Sequence, residues 1–338
     1  MGPAARGVHR LSGRAELISD RDPPRAELVA DRGRAAETDD FFRSRPFFDA
    51  EAVTHTLRVE GAGSEIALPL LVREIPDTEL SDAISPYGYP GAAVRSERGG
   101  PPDPTRIDWS GTGLVSVFAR ERLGGEPCLA GATERSAVQV HDPSRPRSLR
   151  SRFGEQIRRN QKLGYRVEVL PGPETSVEQR TSFHAVYTQT MQRAEAEERY
   201  LFEPEYFGTI LGFQSSWLLL CRSPEGATAA GGIAALSDGL LHYYLGGTAE
   251  AQLGDSPFKN VVEAMIELAA ELGVTLNLGG GVRPDDGLED FKRGFANGEL
   301  PFHTHEIVCD SHAYRRLSAG REDSGFFPLY RAPASGAP

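Results

Sequence analysis

Three apolar runs in close succession, "SWLLLCR" (216–222), "ATAAGGIAAL" (227–236) and "LLHYYLGGT" (240–248), are joined by short turns carrying Gly226 and the pair Asp238–Gly239. Each run has the length of a strand, and linkers that short leave room only for a reversal, so the segment reads as an antiparallel meander. A helix follows at "SPFKNVVEAMIELAAELG" (256–273), with Ser256 as its N-cap, Pro257 at the first helical position, an apolar stripe of Val261, Met265, Leu268 and Leu272, and Gly273 as its stop. Then come a strand, "VTLNLGG" (274–280), a short helix, "DGLEDFKRGF" (286–295), and a last strand, "PFHTHEIVCD" (301–310). Two helices precede the meander: an amphipathic one over 176–198, with Phe183, Val186, Tyr187 and Met191 on one stripe, and a shorter one over 204–213. This order specifies an α+β architecture, with helices packed on a mixed, mostly antiparallel sheet.

At 338 residues the chain exceeds one ordinary core of about 100 to 200 residues, and two domains are expected. The boundary is placed near residue 148, giving an N-terminal domain over 41–148 and a C-terminal one over 149–338. Residues 1–40, rich in Ala, Arg, Asp and Pro and lacking the apolar stretch of a secretion signal, read as a mostly disordered leader. Residues 52–76 carry a hairpin signature, 114–119 a strand, and "SPYGYPG" (85–91) a loop that displays Tyr87 and Tyr89. No run approaches the roughly 18 apolar residues of a membrane span, and the longest, "SSWLLLC" (215–221), is a buried strand. Three widely spaced cysteines, Cys128, Cys221 and Cys309, argue against a disulfide framework and for the cytoplasm. A net charge of −11 disfavours a protein whose whole surface grips nucleic acid, yet 145–166 is dense in arginine with one acid, Glu155.

The short helix holds an anomaly. Started at Gly287, it places Leu288, Phe291 and Phe295 on one face that should be buried, and Lys292 on the edge of that face. A lysine there either snorkels into water or is held, desolvated, at a site. Tyr243 and Tyr244 alternate across their strand, so one faces the cleft and the other packs; Tyr244 is favoured for the cleft. "GGG" (279–281) lacks nucleotide-loop spacing, and His303, His305, Cys309 and His312 match no zinc pattern, so no metal is assigned.

The ordered series "YYLGGT" (243–248), "SP" opening a helix (256–257), a strand ending in "LGGG" (278–281) and "DGLEDFKRGF" (286–295) resembles the C-terminal domain of the Fem-type (FemABX-like) transferases. "YTQTMQRAEAEERYLFEPEYF" (187–207) is similar to the helix and loop before that family's meander, and "SPYGYPG" to part of its N-terminal half. The resemblance implies two GNAT-like domains, the first degenerate. It also implies transfer of an aminoacyl group from charged tRNA to an amine, forming an amide or peptide bond. It places Phe291 and Lys292 at the acyl-transfer site, with the lysine facing the carbonyl under attack; a fixed cation there would stabilise the tetrahedral oxyanion. Tyr244 joins them as the cleft-facing tyrosine. Arg193, Tyr200 and Tyr206 are implied to bind the acceptor, with Asp286, Tyr87 and Tyr89 as further candidates. The basic stretch, through Arg158, Arg159 and Lys162, would track the acceptor end of the tRNA. No cofactor beyond the aminoacyl-tRNA co-substrate is expected, and the acceptor is a secondary metabolite, as in antibiotic biosynthesis, or a cell-wall precursor. The competing reading is a GNAT N-acyltransferase using acyl-CoA or an acyl-carrier protein. It is disfavoured because the helix starting "LGDSPFKN" lacks the glycine spacing of a pyrophosphate cradle.

Overall fold

A computed structural model describes residues 22–30, 40–61, 63–96, 101–280 and 287–333. In chain order the first half contains β1 (Arg25–Val29), α1 (Arg45–Ala50), β2 (His55–Gly61), β3 (Ser64–Glu74), β4 (Ser81–Ile84), β5 (Ala93–Ser96), β6 (Leu114–Arg120) and β7 (Ala132–His141). The second contains α2 (Ser151–Leu163), β8 (Arg166–Pro171), α3 (Val177–Arg193), α4 (Pro204–Ile210), β9 (Ser216–Arg222), β10 (Thr228–Ser237) and β11 (Leu240–Thr248). It ends with α5 (Phe258–Leu272), β12 (Thr275–Gly279), α6 (Gly287–Arg293), β13 (Gly298–Val308) and α7 (Ser311–Leu317).

The strands form one mixed sheet in the order β1-β2-β3-β4-β6-β13-β7-β12-β11-β10-β9-β8, with β5 on β3. The expected meander is β9, β10 and β11, paired antiparallel. Parallel pairing occurs at β11 with β12 and at β4 with β6. Its helices pack on both faces of the second half. One face carries α3, α4 and α1 over Phe183, Tyr187, Phe207 and Ile233; the other carries α2, α5 and α6 over Phe153, Val261, Met265 and Phe295. This is the mixed α/β layering that the element order implies.

Several local expectations are corrected. Residues 25–29, inside the supposed leader, form β1 against β2 with Ala26 buried; 1–21 and 31–39 lie outside the described residues. Ser256 does not cap α5. It ends a 3-10 turn in the left-handed conformation (φ +48°), and Pro257 stands at the cap. The linear boundary near 148 is crossed by structure: β13 lies between β6 and β7, and β7 between β13 and β12. Phe41, Phe42, Phe47 and Phe48 are buried in the same cluster as Phe183, Tyr187 and Phe207. Among the described residues, no helix is long and apolar enough to cross a membrane.

Candidate active site

The site is built where β11 and β12 part. Their parallel register runs Leu240 with Thr275, Leu241 with Leu276 and His242 with Asn277, and ends there. Beyond it β11 is irregular: Ile233 faces Leu245 and Ala234 faces Tyr243, which leaves Tyr244 as an extra residue, a β-bulge. His242 and Asn277 are buried at the point of parting. Burial depresses the His242 pKa to about 4, so the ring is neutral at physiological pH. Its Nδ1 lies 2.9 Å from Asn277 Nδ2 and its Nε2 3.2 Å from Ser237 O. Nδ1 therefore accepts and the Nε2 proton is donated. Asn277 Oδ1 in turn accepts from Gly279 N at 2.7 Å, fixing the glycine turn that ends β12.

Lys292 reaches this turn from α6. Its side chain is 8% exposed; Nζ donates to Gly280 O at 2.6 Å and lies 5.8 Å from the centre of the Tyr243 ring. Gly279 has φ +86°, and a Cβ there would stand 2.7 Å from Nζ, so only glycine admits this approach. The lysine therefore does not snorkel into water. The buried face of α6 is rotated from the expected one: Leu288 is 40% exposed, while Lys292 and Phe295 are inside. Phe291 is half-buried and packs on Phe153, Phe258 and Phe295 at ring distances of 5.7, 6.2 and 5.4 Å, so it seats α6 in the core.

The two tyrosines part company at the bulge. Tyr243 packs on the Lys292 side, 5.4 Å from Phe258, and Tyr244 turns to the opposite cluster. The expectation that Tyr244 shares the cleft of Lys292 is corrected accordingly: Tyr243 is the tyrosine beside the ammonium. Tyr244 instead joins Tyr206 and a residue that the sequence did not single out, Glu51 at the end of α1. Tyr206 OH donates to Glu51 Oε1 at 2.6 Å, Tyr244 OH does so at 3.1 Å, and the two hydroxyls are 2.5 Å apart. Burial raises the pKa of Glu51 against the lowering effect of these hydrogen bonds. Tyr87 stands at the rim, 43% exposed, 6.4 Å from the Tyr244 ring and 5.6 Å from Tyr200. Tyr89 lies deeper, against His242 at 5.3 Å and Phe302 at 5.1 Å.

Tyr87, Tyr200, Tyr206 and Tyr244 are thus brought together, and Arg193 is not. It is exposed at the end of α3, and its hydrogen bonds go to Gln189 O and Thr190 Oγ1 of its own helix. Arg199 is the arginine at the aromatic group, 4.9 Å over the Tyr200 ring. Arg199 also lines a cavity of about 830 Å³ whose walls include Arg73, Arg120, Arg135, Arg321 and Arg331; Lys292 is not among its lining residues. Asp286 lies outside the described residues. Arg158, Arg159 and Lys162 are exposed on the outer face of α2. His305 is fully buried on Glu121 at 3.0 Å, and no group of three or more His, Cys, Asp or Glu among the described residues is arranged to hold a metal.

Residues 147–293, which carry β9 to β12 and Lys292, match the family described as acetyltransferase (GNAT) domain. The chain carries a GNAT acyltransferase domain. Among solved structures, this chain is similar to FemX, with 11% identity and a TM-score of 0.54 over 81% of this chain and 93% of that one. L-PGS from Bacillus licheniformis matches with 12% identity and a TM-score of 0.52, over 73% and 82%. The C-terminal domain of a lysylphosphatidylglycerol synthetase from Agrobacterium fabrum matches with 13% identity and 0.53, over 82% and 90%. At these identities the likeness is one of fold, and it extends well beyond the GNAT match into the N-terminal half. No curated protein sequence matches the chain.

Proposed function

We propose that this acyltransferase moves an aminoacyl group from a charged tRNA to the amine of a small molecule. The observation that carries the reading is Lys292, an ammonium buried beside a glycine turn at the mouth of the β11–β12 gap. When a neutral amine attacks an aminoacyl ester, the C–N bond forms and the carbonyl oxygen gains charge; the C–O bond to the ribose then breaks, and the proton shed by the nitrogen leaves on the ribose hydroxyl. A cation fixed in a water-poor setting stabilises that charge by several kcal/mol. The fold shared with FemX and L-PGS supports the reading. The exposed row Arg158, Arg159 and Lys162 suits the few phosphates of an RNA acceptor end, a contact small enough for an acidic protein. A secondary metabolite is the favoured acceptor over a cell-wall precursor.

The acyl-CoA reading requires open amides at the start of α5. Two of those amides are engaged within their own turn: Lys259 N donates to Ser256 O at 3.2 Å and Asn260 N to Pro257 O at 3.0 Å. That local geometry leaves a poor pyrophosphate cradle. Incubation with a mixture of charged tRNAs and acyl-CoAs, followed by measurement of which donor is consumed, tests the proposal. Consumption of aminoacyl-tRNA, abolished by RNase, is expected; RNase-resistant transfer that needs CoA would replace this reading. Lys292→Ala should keep the fold and lose roughly 10² or more in rate. Wild-type turnover in that variant removes the lysine from the mechanism.

A further inference from the structure

Glu51 is a half-buried carboxylate whose surroundings are half finished. Its Oε1 accepts from both Tyr206 and Tyr244, whereas among the described residues Oε2 receives only the Tyr87 amide, at 3.4 Å. Among the described residues no cation lies within ion-pair distance of it. Arg120 approaches from the far side of the same loop. Its Nη1 donates to Ser85 O at 2.8 Å and sits 3.5 Å from Pro86 O, so the Pro86–Tyr87 peptide group stands between the two charges. A carboxylate taken out of water, with its nearest cation held behind a peptide group, is costly to ionise, and a cation brought by a ligand would offset that cost.

The rings next to the carboxylate favour a cation, with Arg199 and Arg120 lying beyond them. Tyr206 and Tyr244 touch the carboxylate, Tyr87 packs on Tyr244 and Tyr200, and Tyr206 stacks on Phe202 at 3.8 Å. Aromatic faces carry negative potential and attract cations, and rings around a carboxylate make a cage for an ammonium. Tyr87, partly exposed, marks the side open to solvent.

We propose that Glu51, caged by Tyr87, Tyr206 and Tyr244, seats a positively charged nitrogen of the acceptor that is separate from the neutral amine that attacks the ester. This rests on the acyltransferase reading and adds to it the part of the chain that recognises the nucleophile's side. Glu51 lies on the face of β11 opposite Lys292, which gives the acceptor and the reacting carbonyl separate walls.

The test is a binding measurement without any donor, so it can fail while transfer succeeds, and the reverse. Saturation-transfer NMR on the full chain compares n-butylammonium with 1-butanol, a probe of similar shape and no charge. Butylammonium is expected to bind at least about tenfold more tightly, with transfer from tyrosine ring protons, and Glu51→Gln is expected to erase the preference. Equal binding of the two probes by the wild-type chain overturns the proposal, as does a preference that survives in Glu51→Gln. Should that variant not fold, the wild-type spectra still decide: a preference without transfer from tyrosine protons puts the cation elsewhere and overturns the proposal.

Discussion

Lys292, buried, and Glu51, half-buried, are groups of opposite sign on opposite faces of β11, and they differ in how far the sequence betrays them. Lys292 sits beside Phe291 and three residues before Phe295, so helical spacing alone marks it as a cation on an apolar face. Glu51 follows "FFDA" at the end of a short helix and reads as an ordinary solvated acid. Its tyrosine partners lie 155 and 193 residues further on, a separation that no local pattern encodes. The same holds for Tyr243 against Tyr244: alternation says that they part, and only the bulge decides which way each turns. Burial raises the Glu51 pKa, so ionising this group costs more in the folded chain than in the unfolded one. The stability from this group is fully present below the unfolded value, about 4.3, and is lost as pH rises through the folded value. Glutamine never ionises. Thermal melts of Glu51→Gln should therefore show its midpoint rising relative to wild type between about pH 4 and neutrality, and a difference that does not change with pH refutes the charge penalty.

The element that matters most is α6, only seven residues long, which no intrinsic propensity would hold on its own. It is fixed by packing. Gly294, just past its end, lies so close to Phe153 of α2 that a Cβ would overlap the ring, and Arg150 N donates to Gly294 O at 2.9 Å. Arg150 also pairs with Asp290 at 2.7 Å across the surface. Gly294→Ala should destabilise the chain by about 1–3 kcal/mol in denaturant unfolding through overpacking. Asp290→Ala, which removes an exposed pair, should leave the unfolding midpoint nearly unchanged. Gly279→Ala separates activity from stability. Its Cβ meets the movable end of Lys292, so the loss of stability should stay near the ~1–2 kcal/mol of left-handed strain. The transfer rate should nevertheless fall about tenfold or more as the ammonium is displaced. The series of elements from α3 to β13 was readable because each has a clear period and punctuation. The exceptions have local causes. Ser256 adopts φ +48° after a 3-10 turn, and Leu288 faces outward because the short helix rotates to put Lys292 inside.

Across the whole molecule, many strands were legible and strand partnership was not. Periodicity finds β6, β12 and β13 one at a time, misses β7, and gives no reason why β13 should run between β6 and β7. The arginine-lined cavity is hidden in the same way: Arg73, Arg120, Arg135, Arg199, Arg321 and Arg331 are scattered along an acidic chain and converge only in the fold. The interleaving makes a direct prediction. A fragment of residues 149–338 lacks β7 and β6, so β13 loses both neighbours and β12 one. It should show no cooperative melt by itself and should regain one when co-expressed with residues 1–148. A sharp transition in the isolated fragment would mean that the halves are autonomous.

For anyone recombining such chains, that arrangement decides where scissors can go. A hybrid joined at the linear midpoint would leave bare strand edges on both parents, open to intermolecular pairing and precipitation. A viable exchange of the first half has to bring Gly298–Val308 with it, although that ribbon lies far downstream of the other strands it joins.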